Sequence, residues 1–461
     1  MRPLEILLAL LLAAYLITAF FKPRALLAYA AALVAILQIV LDGFRWQMIP
    51  LYVLTVVLVP TGILRRKKWA VAIPIVTSVL LAVSVACPIL LPIPSLPPAT
   101  GSYPVGTTTI TLTDAARQEI YSGNNEPRRF QIQVWYPTDP QPGDKHAPWM
   151  NRADVLAPAL ARYLKFPAFF LDHLTLVKTP AYLDSPLAKS DQKFPVVVFS
   201  HGWNGFAAQN TGQAIELASH GYVVVALHHT YGAVVTVFPD GTVAPNNPNA
   251  LPSDVSDDEY LIAARKLVAQ WAGDISFALD DMAQQNADPA SKFYAALNLE
   301  LIGVYGHSTG GGATIQFCST DMRCKAVLGM DPFMTPVSQQ VLASGVSQPS
   351  FFMFSEAWHS LTDSKNNQLF NLFYSHLTQN RGVVFVTGSK HYDFSDMPML
   401  SPIAPQMGLK GPINGGEMSK IANSYLLQFF DMTLLGKLSS MFSGPVTEFP
   451  EVHFFTPPAP K

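Results

Sequence analysis

Four apolar runs occupy the first hundred residues, at 4–21, 25–41, 48–64 and 69–91. Each reaches the length of about 17–25 residues that a bilayer core requires. The polar breaks between them, Lys22-Pro23-Arg24, residues 42–47 and residues 65–68, are too short for soluble structure. The pattern predicts four membrane-spanning helices joined as tight hairpins. A secretion signal would account for residues 4–21 alone. No clear A-x-A cleavage site follows that run, and the other three would stay unexplained.

The period changes near residue 105. Residues 107–112 and 130–135 alternate apolar and polar positions, as half-buried strands do. A polar loop at 139–147 and a weakly helical stretch at 153–175 follow. Short, wholly apolar strands are then expected at 196–199, 222–227, 301–305, 326–329, 351–354 and 383–386. Helical patterns lie among them at 209–220 and 257–286, and another closes the series at 417–435. Buried strands alternating with helices predict an α/β fold with a mainly parallel, doubly wound sheet. The two early strands form its antiparallel edge. The expected organisation is an all-α transmembrane module of four helices (1–92), a Pro-rich stiff tether (93–104), an α/β catalytic domain (105–442) and an irregular tail (443–461).

Of the 461 residues, 49% are hydrophobic and only 13% are charged, about half the charged share of a typical soluble domain. This excludes a disordered, collagen-like or disulfide-framework chain. Residues 1–100 carry eight basic and two acidic side chains, and the remaining 361 carry 22 and 30. The weakly acidic body excludes a nucleic-acid footprint. Lys22, Arg24 and the basic residues at 65–68 would share one side of the membrane, against Arg2 and Arg45 on the other. The positive-inside rule makes the first set cytoplasmic. Both termini and the body then lie outside a multi-pass cell-membrane protein. Asp42 and Arg45 read as interfacial loop residues, and spans free of charge argue against a transporter.

Gly306-His307-Ser308-Thr309-Gly310 follows one expected strand and opens a helical stretch. This G-x-S-x-G pattern lifts a serine to the carboxyl edge of a sheet on a tight turn that side chains at the flanks would block. Ser308 is the candidate nucleophile. In this motif class an acid and then a histidine follow in the chain. His391, in a loop after the strand at 383–386, is the candidate base, with His359 as the fallback. His376 falls in a helical pattern and His453 in the tail. Asp331 and Glu356 each follow a strand, and either could orient the imidazole. Asp393 and Asp396 read as loop caps. An oxyanion needs two backbone donors, and the N–H groups of Thr309 and Trp203 are the candidates. Trp203 belongs to the loop Ser200-His201-Gly202-Trp203-Asn204-Gly205. His201, His228 and His229 have no cysteine or carboxylate placed with them, so no metal site is expected. Cys318 and Cys324 allow either a local disulfide or two buried thiols; Cys87 lies in the fourth apolar run.

The stretches FPVVVFSHGWNGFAAQNTGQAIELASHGYVVVALHH, GHSTGGGATIQ, LGMDPFMTP and GSKHYDFSDM, within residues 128–436, resemble the plasma-type platelet-activating-factor acetylhydrolases. The resemblance implies an α/β-hydrolase fold, no cofactor, and a triad of Ser308, Asp331 and His391. It puts the oxyanion donors on Trp203 and Thr309, and so favours Asp331 over Glu356. Two departures stand out: Thr309 replaces an aromatic of the plasma type, and those enzymes lack the four apolar runs. The expected function is a membrane-anchored serine ester hydrolase that forms a covalent acyl-enzyme on phospholipids with short or oxidised acyl chains. A general carboxylesterase or polyester hydrolase, and a non-catalytic membrane ligand-binding protein, are the alternatives.

Overall fold

The computed structural model describes residues 1–19, 25–61 and 72–460. The basic breaks at 22–24 and 65–68 lie outside the described residues. Four helices come first: α1 (Pro3–Ala19), α2 (Ala25–Asp42), α3 (Ile49–Thr61) and α4 (Ala72–Leu90). Among the described residues, α2 alone is long and apolar enough to cross a membrane; the other three are shorter apolar helices. They pack on one another through Leu8, Leu12, Ala31, Leu51 and Leu54, all buried. Their outer faces expose Leu10, Leu26, Val40, Val56 and Val79, each at least 60% accessible.

One charge expectation needs correction here. Glu5 sits inside the first apolar run, so that run is not free of charge, and Glu5 meets Arg45 of the loop after α2. Both are buried, and Arg45 Nη2 meets Glu5 Oε2 at 2.6 Å. Arg45 Nη1 also donates to the Leu91 carbonyl at 2.8 Å. A buried carboxylate is tolerated because guanidinium and carboxylate neutralise each other and use up their hydrogen bonds.

Residues 93–104 form no regular element, yet they do not run free. Gly101 N–H donates to Ser219 Oγ at 3.1 Å, and Tyr103 N–H to Ser219 O at 3.0 Å. The Pro-rich segment is therefore fastened to the body.

The body begins with β1 (Val105–Gln118), β2 (Pro127–Pro137) and β3 (His146–Pro148), followed by α5 (Ala153–Tyr163), a 3-10 segment (Ala168–Leu176) and β4 (Lys178–Leu183). Next come β5 (Phe194–Ser200), α6 (Thr211–Ser219), β6 (Val223–His228), the small hairpin β7 (Val235–Val237) and β8 (Val243–Pro245), and the long α7 (Asp257–Ala287). The second half runs β9 (Leu297–His307), α8 (Thr309–Cys318), β10 (Cys324–Met330), α9 (Gln339–Ser344), β11 (Ser350–Ser355), α10 (Glu356–His359), α11 (Lys365–Ser375), β12 (Asn380–Val386), α12 (Gly415–Leu435) and β13 (Val452–Phe454).

Eleven strands make one sheet, in the order β13-β12-β11-β10-β9-β5-β6-β2-β1-β4-β3. From β12 to β6 every pairing is parallel. β1 and β2 pair antiparallel beyond β6, as their alternation predicts. The tail is not wholly irregular: β13 adds an antiparallel strand to the opposite edge.

The period-2 geometry of a strand sends successive side chains to opposite faces. Val197 and Phe199 of β5 join one core with Ile215 of α6 and Tyr425 and Phe429 of α12. Val196 and Val198 join the other core with Trp271 and Ile275 of α7 and Ile315 of α8. Both faces are covered, which is why these strands read as unbroken apolar runs.

Cys318 and Cys324 are joined by a disulfide between the end of α8 and the start of β10, with Cα atoms 5.2 Å apart. Replacing both by serine is expected to lower unfolding stability by about 2 kcal/mol, from the loop entropy of so short a ring. A lowered denaturant midpoint measured by circular dichroism checks it.

Candidate active site

Ser308 occupies the turn between β9 and α8 with φ +56° and ψ −121°, a region that non-glycine residues rarely enter. The flanking glycines answer to a physical limit. A Cβ on Gly306 would lie 2.4 Å from Gly310 O, and one on Gly310 would lie 2.1 Å from Ser200 O. The turn closes only because both lack a side chain. Ser308 thus stands at the carboxyl ends of β5, β9 and β10, where open α/β sheets place their ligands.

Asp331 follows β10 and is fully buried. Its Oδ1 accepts the Ser355 N–H at 2.8 Å and its Oδ2 the Ser355 hydroxyl at 2.7 Å. His391 follows β12, and its Nδ1 lies 2.9 Å from Asp331 Oδ2. A carboxylate on Nδ1 puts the ring proton there and leaves Nε2 as an acceptor. Burial lowers the His391 pKa, so the ring is neutral at neutral pH. Burial raises the Asp331 carboxyl to about 7, with the two bonds from Ser355 only partly opposing the shift.

The ring of His391 is also fixed by packing. It stacks on Trp358 with centroids 4.4 Å apart and planes 6° from parallel. The His391 carbonyl lies 2.9 Å from His307 Nε2. Trp358, His307 and Ser355 therefore hold His391 and Asp331 in place. Only the position of His307 inside the G-x-S-x-G pentamer signalled it in the sequence. Trp358 and Ser355 carry no motif.

Glu356 is placed elsewhere: its Oε2 accepts the Gly388 N–H at 2.6 Å and braces the loop before His391. His359 stacks on Phe385 at 4.1 Å, and His453 faces the same ring at 5.1 Å. His376 Nδ1 lies 2.9 Å from Leu372 O at the end of α11. Asp393 Oδ2 accepts the N–H groups of Lys390 and Gly411, and Asp396 accepts that of Gly212. Both shape the loop that carries His391.

Thr309 opens α8, so its N–H is one of the four that a helix leaves unpaired. Trp203 lies with Ser308 and Thr309 on a cavity of about 360 Å³ whose other walls include Leu251, Tyr260, Phe333 and Trp358. Among the described residues, no group of three His, Cys, Asp or Glu side chains could hold a metal.

Residues 92–439 match the family described as platelet-activating factor acetylhydrolase, isoform II. The chain belongs to this family. Platelet-activating factor acetylhydrolase of Cavia porcellus is 29% identical over 361 residues, covering 74% of this chain and 78% of that protein. The enzyme of the same name from Canis lupus familiaris is 26% identical over 368 residues, covering 74% and 77%. A probable 1-alkyl-2-acetylglycerophosphocholine esterase of Arthroderma benhamiae is 22% identical, covering 78% and 93%. Among solved structures, a ferulic acid esterase from Streptomyces cinnamoneus superposes with a TM-score of 0.65 at 24% identity, over 78% of this chain and 99% of its own. That likeness shows a shared fold. As a member of this family the protein is a carboxylic ester hydrolase.

Proposed function

We propose that this member of the family is a membrane-anchored serine hydrolase of phospholipid esters with short or oxidised acyl chains. Ser308 is its nucleophile, His391 its base and Asp331 its acid. The observation that carries this reading is the His391 Nδ1 to Asp331 Oδ2 contact of 2.9 Å beside the strained Ser308 turn. His391 Nε2 takes the hydroxyl proton as Ser308 Oγ attacks the ester carbonyl. The N–H groups of Trp203 and Thr309 hold the tetrahedral oxyanion. His391 then protonates the departing alcohol. Water activated by the same nitrogen releases the acid from the acyl-enzyme.

The cavity beside Ser308 sits at the small end of the range of about 300–1,000 Å³ for ligand sites. This favours a short acyl chain. Leu251, Phe333 and Trp358 supply an apolar lining.

The anchor is the four-helix module of residues 1–92, with the segment 93–104 linking it to a catalytic domain at 105–442 and a tail at 443–461. Exposed apolar side chains along α1–α4 support it, as does the basic excess of the breaks at 22–24 and 65–68. That excess puts the catalytic domain outside the cytoplasm. Trp46 Nε1 donates to Phe170 O at 3.2 Å, and Gln47 Nε2 lies 2.7 Å from His173 Nδ1. These contacts hold the body close against the module, where an amphiphilic ester would be at hand.

A liposome assay with 2-acetyl and 2-palmitoyl phosphatidylcholines tests the substrate. Release of acetate at least tenfold faster than palmitate is expected. Turnover of p-nitrophenyl esters with both lipids untouched would favour a general carboxylesterase.

The acid limb tests the electrostatics. The base must be neutral to accept a proton, and burial lowers its pKa. Activity on a soluble ester should therefore persist below the ordinary imidazole value of about 6.5 and fall only at more acidic pH. A kcat/KM profile with its midpoint at or above 6.5 contradicts this.

A further inference from the structure

The Trp203 N–H serves an oxyanion only if its peptide plane is turned the right way. That plane is the Gly202–Trp203 unit, and its carbonyl oxygen has two donors. His201 Nδ1 lies 2.7 Å from Gly202 O, and the Gly205 N–H donates to the same oxygen at 2.9 Å. The described peptide bonds are all trans. In a trans unit C=O and N–H point in opposite directions, so pinning the oxygen aims the Trp203 N–H. The plane also lies against the nucleophile: a Cβ on Gly202 would stand 3.1 Å from Ser308 Cβ.

His201 is itself held from behind. The His229 N–H donates to His201 Nε2 at 3.2 Å. That makes Nε2 an acceptor and puts the ring proton on Nδ1, where Gly202 O needs it. His229 Nδ1 lies 2.9 Å from Asp274 Oδ2, and its Nε2 lies 2.9 Å from Ser200 Oγ. Its ring stacks on Trp271 at 4.1 Å and 5°. Asp274 meets Arg128 at 2.6 Å and Arg117 at 3.0 Å, which keeps it ionised. His201, His229 and Asp274 are all fully buried. Burial, with His229 and His228 beside it, holds the His201 pKa well below its ordinary value, so the ring is neutral and carries one proton.

We propose that His201 is a positioning residue for ester hydrolysis: it turns the Gly202–Trp203 peptide so that its N–H faces the oxyanion, and the backbone N–H of His229 fixes its tautomer. The proposal rests on the reading of Ser308 and Trp203 given above.

His201→Leu removes the donor. His201→Asn keeps an N–H near the place of Nδ1. The leucine variant is expected to lose about 10²-fold in kcat, the usual cost of a lost oxyanion donor, with KM within about twofold. The inhibition constant of a trifluoromethyl ketone, whose adduct with a serine is an oxyanion, should rise by the same factor. His201→Asn should recover at least tenfold of the kcat loss and of the ketone affinity. A folded leucine variant with wild-type kcat and ketone affinity overturns the proposal. So does an asparagine variant as impaired as leucine. If the leucine variant does not fold, the asparagine variant carries the test: it should stay within about tenfold of wild type in both readouts, and a larger loss in the folded protein counts against the proposal. Undiminished turnover by Ser308→Ala would instead refute the underlying reading, whatever His201 does.

Discussion

Ser308→Ala is expected to lower ester turnover by about 10⁴–10⁶-fold, the scale on which serine hydrolases lose activity with their nucleophile. In the mechanism proposed above, the hydroxyl oxygen is the atom that bonds the acyl group. The fold should survive, because the Ser308 backbone alone ties the turn to its surroundings. Its N–H donates to Met330 O at 3.0 Å, and its carbonyl accepts the Phe333 N–H at 2.9 Å. The readout is labelling by a membrane-impermeant fluorophosphonate on intact cells or spheroplasts. Wild type should be labelled and Ser308→Ala should not. Labelling that appears only after lysis would place the catalytic domain on the cytoplasmic side. An unlabelled, folded wild type would favour a ligand-binding protein.

Asp331→Asn is the second large effect, expected at about 10⁴-fold in kcat. An asparagine amide facing Nδ1 donates where the carboxylate accepted. The ring then carries its proton on Nε2, where it cannot take one from Ser308. Stability should fall less steeply, because the asparagine oxygen can still accept one of the two bonds from Ser355. Glu356→Gln is the control. Its carboxylate holds the Gly388 N–H and has no contact with the imidazole, so a loss of no more than about tenfold is expected. Equal losses from the two substitutions in kcat at saturating substrate would reject the assignment of the acid.

The nucleophile turn was legible because its determinants are local. A strand, two glycines and a following helix are contiguous in the chain, and Gly306 is required by a clash within the same turn; the clash that requires Gly310 is with Ser200 of the neighbouring β5. The alternation of buried strands and helices was legible because residue period maps directly onto faces. Other features were not local. Arg45 reads as a loop charge until α1 brings Glu5 to it across 40 residues. The strand β13 is too short and too close to prolines to show a period, and only the open edge of β12 gives it a partner. His229 offered no carboxylate partner in the sequence, because Asp274 comes from the middle of α7.

By itself, the sequence determined the order of elements, the apolar N-terminal region at residues 4–91, and the residue that must stand on a strained turn. These follow from hydrophobic period and backbone sterics, which act over a few residues. The tertiary structure alone decided which aromatic stacks on His391 and how the Gly202–Trp203 peptide is aimed. Those outcomes depend on strand order, and the energies that set it come from burying both faces of one sheet rather than from any short segment of the chain.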